Sequence, residues 1–145
     1  MPQEPVFNRL APRGSLQRFA ITGSVNSAVF FVVWELFLWG FTSTDVRVLW
    51  GIAWGITGIM AHFVHRIYTF DNRKPIKWTI ATSMPTYLFS LIGSSYTIGL
   101  LTENYPDNIR WLAVLNMLAW GFVIWGMMRV LVFQYKKEDN EPHTA

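Results

Sequence analysis

Three polar side chains, His62, His65 and Arg66, fall within about one helical turn at the end of an apolar stretch. Such groups are expensive in hydrocarbon, so they must face protein, water or a bound anion. A guanidinium in that place can grip a phosphate through its planar fork, or only snorkel to the surface. The histidines can bind a ligand, or merely hydrogen-bond within a bundle. Gly51, Gly55, Gly58, His62, Arg66 and Thr69 follow steps of three and four and share one helical face. Its glycines permit close backbone approach.

A second stripe is made of hydroxyls: Thr79, Ser83, Thr86, Ser90, Ser94 and Thr97 recur at helical spacing, with Gly93 beside them. Ser and Thr bond across helices, which accounts for part of the pattern. A continuous polar face also suits passage of a polyhydroxylated headgroup, and Ser90 and Ser94 stand at its middle. Pro85 lies inside this stretch and is expected to kink it or free a carbonyl.

Elsewhere polar residues are sparse. Asn26 and Glu35 belong to one apolar run, on opposite faces. Glu35 lies ~24 Å along its helix, near the far boundary. It could take a proton or a sugar, or simply reach out to water. Asn116 is the outer-half polar residue of the last run.

Other chemistries lack their residues. The chain has no Cys, which excludes disulfides and thiol catalysis. Two neighbouring histidines without a carboxylate make no metal set, and no P-loop, nucleophile elbow or acid pair is present. Enzymatic catalysis, a metal and a cofactor are therefore not expected.

The elements that must carry these residues are four apolar runs, residues 19–41, 48–68, 78–101 and 111–133, each about 21 to 24 residues long. That is enough to cross a ~30 Å hydrocarbon core at ~1.5 Å per residue. Ten of the twelve Lys and Arg residues fall before the first run, between the second and third, or near the end; only Arg47 and Arg110 lie in the other two loops. The positive-inside rule predicts an N-in, C-in protein of the cytoplasmic (inner) membrane with four transmembrane helices. The expected fold class is thus an all-α membrane protein with one membrane domain at residues 18–135. Residues 1–17 are expected to be a disordered cytoplasmic arm and 136–145 a cytoplasmic tail. The +3 net charge flanks helix ends, where it meets anionic lipid headgroups, and is not a nucleic-acid signature.

The runs pair into two hairpins of like direction. Each opens with a cation beside an aromatic (Arg18-Phe19, Lys77-Trp78) and closes with Arg-x3-Phe (Arg66 to Phe70, Arg129 to Phe133). Aligning the two arginines also pairs Gly58 with Gly121. A parallel repeat explains this; so does the ordinary interfacial chemistry of helix ends.

The opening Arg18-Phe19, Gly23 and Asn26-Ser27, with the Arg66-x-x-Thr69-Phe70 close, resembles the GtrA-like family. That family also closes its second helix with Asn, Phe, Asn, Arg and Phe; Phe63, Arg66 and Phe70 match, and His62 and His65 stand at the asparagine positions. Arg129 and Phe133 match the close of its fourth helix. The acid the family commonly carries early in helix one is replaced here by Ala28-Val29-Phe30. The resemblance covers about residues 17 to 134. It implies a membrane protein of cell-surface polysaccharide synthesis that flips a polyprenyl-phosphate-linked sugar, often beside a glycosyltransferase.

The residues fit such a ligand. Arg18, Arg66, Lys77 and Arg129 lie at the inner leaflet, where a phosphate would dock. Asn26, Glu35, His62, His65, Ser90, Ser94 and Asn116 could serve the sugar. Two alternatives stay open. One is a membrane anchor that steadies a glycosyltransferase without transport. The other is a small multidrug-type transporter, which the strong charge bias disfavours. Four helices are few to enclose a path, so a homo-oligomer is open too.

Overall fold

The computed structural model describes residues 5–70 and 74–134. These form helices and no strand: α1 (Val6–Leu10), α2 (Leu16–Gly40), α3 (Val46–Val64), α4 (Ile76–Asn104) and α5 (Ile109–Met127). A 3-10 turn, Pro106–Asn108, leads into α5. α3 continues as a π-helical turn, His65–Thr69, and α5 as another, Met128–Val132. Local signals set the starts. The Ser15 hydroxyl accepts the Arg18 backbone N–H (3.1 Å) and the Asp45 carboxylate that of Arg47 (2.8 Å), each relieving an orphan donor of a first turn. Pro75 fixes the entry to α4.

The long helices pack in chain order, α2 on α3, α3 on α4 and α4 on α5, while α2 and α5 barely touch. One apolar cluster joins Phe30, Trp34, Leu49, Trp50, Ala53, Ile98 and Ala113; a second joins Phe70, Ile124, Met128, Val132 and Phe133. α4 and α5 close tightly at Gly93, where the Trp120 indole occupies the space a Cβ would need.

Three elements are long and apolar enough to cross a membrane: Leu16–Gly40, Val46–Thr69 and Pro106–Val132. α4 is the longest helix at 29 residues, but its hydroxyls dilute it. Thr79, Ser83, Thr86, Ser90 and Ser94 are all buried, whereas Met84, Leu88, Phe89 and Ile92 face outward. Its outer surface is thus apolar despite its composition. α4 runs through Pro85 as one helix.

The segment expected to be a disordered arm is ordered over residues 5–15. It carries α1, and Ala11 is buried. Arg13 donates to the carbonyls of Ile67 (3.1 Å) and Phe70 (2.7 Å). Gly14 adopts φ 75°, a conformation that favours glycine. Its N–H reaches the Thr69 carbonyl (2.8 Å) and its carbonyl accepts the Trp125 indole N–H (3.0 Å). Prolines and charges suggested disorder, yet the open carbonyls ending α3 supply partners that local composition does not reveal. Residues 1–4, Arg73 and the 136–145 tail lie outside the described residues.

Candidate functional site

Because α2 and α5 part, a groove of about 580 Å³ lies between them, with α3 as its floor. α2 contributes Phe19, Gly23, Asn26, Ser27, Phe30 and Phe31; α3 contributes Trp54, Thr57, Gly58, Ala61 and His65; α5 contributes Val114, Met117, Leu118, Gly121 and Phe122, with Tyr87 reaching in from α4. A Cβ added at Gly58 or Gly121 would meet nothing. These two glycines, matched in the alignment of the hairpins, give the groove its room. Its lining is apolar and aromatic with a few hydrogen-bonding groups, as ligand sites commonly are.

Four buried side-chain polar atoms among the described residues have no hydrogen-bond partner, on Asn26, Trp34, Arg66 and Ser95, and of these residues only Asn26 lines the groove. Its Oδ1 is buried and has no hydrogen-bond partner. Buried polar atoms are rarely left so. An acceptor beside an open groove can be satisfied by a donor from whatever occupies it.

The polar turn of α3 divides. His62 points to α4, its Nδ1 3.1 Å from the Tyr87 hydroxyl and its Nε2 3.4 Å from Thr79 Oγ1. His65 points to α2: it stacks on Phe19 (centroids 4.0 Å, planes 9°), and its Nδ1 lies 2.8 Å from Thr69 Oγ1 and 3.4 Å from Thr22 Oγ1. Thr22 and Thr69 are also hydrogen-bonded to each other. Arg66 donates to the Lys74 carbonyl (2.9 Å), while its buried Nε–H has no partner. Residues three apart stand only ~60° apart around a helix, yet the His62 ring turns to α4 and the His65 ring to α2, so the two do not meet on one ligand. Only His65 lines the groove.

The other candidates are placed as follows. Arg18 is buried and ties α1 and the turn ending α3 to α2, donating to the carbonyls of Tyr68 (2.5 Å) and Ala11 (3.3 Å) and to Asn8 Oδ1 (3.1 Å). Arg129 lies over the Trp125 ring, 5.5 Å from its centroid. Ser90 and Ser94 sit on the inward face of α4 and do not line the groove. The Ser90 hydroxyl donates to Tyr87 O (3.0 Å); Ser94 Oγ accepts from Trp50 Nε1 (3.1 Å). Asn116 is engaged by Thr97 (2.5 Å) and by Ser94 O (3.0 Å). Glu35 makes a two-pronged ion pair with Arg110, at 2.8 and 2.9 Å. No group of three or more His, Cys, Asp or Glu that could hold a metal occurs among the described residues.

No protein-family model, curated protein or solved structure matches this chain. The site therefore stands on its own geometry. Sequence reasoning missed Trp54, Thr57, Tyr87 and Gly121 as lining residues, and Thr22 as a partner of His65. The one signal available was the Gly58–Gly121 correspondence.

Proposed function

We propose that the chain crosses the inner membrane four times with both termini cytoplasmic, and that it moves a polyprenyl-phosphate-linked sugar between leaflets. The charge bias supports the orientation. The length of α4, ~44 Å at ~1.5 Å per residue, and its outward apolar face support the fourth crossing.

The groove carries the functional reading. It is an aromatic cleft between two helices that part, and it holds a buried amide oxygen with no protein partner. The prenyl tail can stay in lipid while the head enters from the side. Aromatic faces and the Asn26 amide suit a sugar, and the Arg66 guanidinium, whose buried Nε–H has no protein partner, suits its phosphate. The ordered GtrA-like motifs agree with this chemistry.

The test is transfer of polyprenyl-phosphate sugars between leaflets of vesicles holding the purified protein. Transfer that is lost in Asn26→Leu, with folding intact, supports the reading. Co-purification of a glycosyltransferase without transfer would favour the anchor instead.

A further inference from the structure

The seam between α2 and α5 is pinned at its two ends. At one end the Trp125 indole N–H reaches Gly14 O, just before α2. At the other, Arg110 of α5 grips Glu35 of α2 through two hydrogen bonds. The groove stops at Phe31 on α2 and at Val114 on α5. Glu35 lies four residues beyond the first and Arg110 four residues before the second, so each sits one turn (~5.4 Å) past the groove on the groove-facing side.

We propose that Glu35 and Arg110 form a clasp that closes the outer end of the groove, and that its opening connects the groove to the outer aqueous phase. This rests on the transport reading for its purpose, though not for its detection. The pair's chemistry fits a clasp. Both side chains are substantially exposed, 71% for Arg110 and 44% for Glu35, and exposed ion pairs are weak enough to break readily. The fork geometry nevertheless fixes the partner and the distance when closed. Arg47, the other outer-loop cation, pairs with Asp45 and Glu103 and joins α3 to α4. It braces a packed interface, whereas the Glu35–Arg110 pair spans the one seam that is not packed.

The chain has no cysteine, so one introduced thiol reports alone. Ser27 lines the groove. In Ser27→Cys protein reconstituted in vesicles, an impermeant maleimide supplied on the Glu35 side should react slowly. Adding Glu35→Gln or Arg110→Gln should raise the rate by up to about fivefold, the most an exposed pair supplies. The reversed pair, Glu35→Arg with Arg110→Glu, should bring the rate back down. Equal rates in all four proteins would overturn the clasp. So would failure of the reversed pair to slow the reaction in protein that is folded. A second arm uses Glu35→Cys with Arg110→Cys, bridged by a reducible bis-thiol reagent. Transfer of polyprenyl-phosphate sugar should stop on bridging and return on reduction; undiminished transfer while bridged overturns the clasp. If unaltered protein transfers no such lipid, the transport reading fails, and the labelling arm still decides the clasp.

Discussion

Phe70 and Phe133 stack face to face, with centroids 4.5 Å apart and planes inclined by 11°. One closes the first hairpin and the other the second. Each follows a π-helical turn, and each backbone N–H returns to the carbonyl five residues back, His65 or Met128, at 2.9 Å. The Arg-x3-Phe likeness in sequence is therefore a shared backbone device, in which one extra residue per turn swings the ring inward. His62 lies near Phe133 (6.3 Å, 24°), extending the stack toward α3.

Phe70→Ala and Phe133→Ala should each lower stability by about 3–5 kcal/mol, the usual range for a deleted buried ring. Since the rings share one contact, the double variant should lose less than the sum. Thermal unfolding in detergent of the two singles and the double reads this directly.

The α4 hydroxyls should differ from one another. Ser94→Ala removes the acceptor of the Trp50 indole N–H and should cost about 1–3 kcal/mol for a stranded buried donor. Ser90→Ala removes only a bond to its own helix and should be close to neutral. Trp50→Phe made in the Ser94→Ala background should cost less than in the unaltered protein. Denaturation midpoints check the order.

Groove room can be removed without disturbing packing. Gly58→Ala and Gly121→Ala meet open space and should stabilise by up to about 1 kcal/mol through helix propensity. Gly58→Leu and Gly121→Leu should fill the cleft and abolish vesicle transfer while the protein stays folded. Gly93→Ala is the contrast, because it meets the Trp120 ring and should destabilise. Transfer normalised to folded protein separates these outcomes.

Orientation has its own measurement. Thiols introduced by Ser43→Cys and Asn108→Cys should react with an impermeant reagent outside intact cells, and Lys74→Cys should not. Outside labelling at Lys74 would reverse the proposed topology.

The long helices were legible because apolar runs and their bounding Pro, Asp and Ser are local signals. The four long helices begin and end within a few residues of the expected runs, counting the π-helical turns that continue α3 and α5. The site was not legible in the same way. A stripe on one helix says which residues share a face but not which neighbour that face meets. Gly51 approaches Ser95 of α4, whereas Gly58 opens on the groove, although both belong to one stripe. The hydroxyls of α4 share one face, and the structure buries that face away from the groove. His62 and His65 stand close in sequence and serve opposite neighbours. Arg18 resembled a phosphate ligand, yet it spends hydrogen bonds on carbonyls that only the tertiary fold brings near.

The stacked phenylalanines also bear on how the chain could be divided. α2 with α3 and α4 with α5 each form a paired unit, and the α3–α4 face joins them. Trp78 Nε1 donates to Val132 O (3.3 Å), so the second unit is tied base to base within itself, as Arg18 ties the first to Tyr68. A chain severed between Phe70 and Pro75 would keep every one of these bonds. Two co-expressed halves should then find each other in the bilayer and rebuild the groove, because helix packing and not the connecting loop holds the hairpins together.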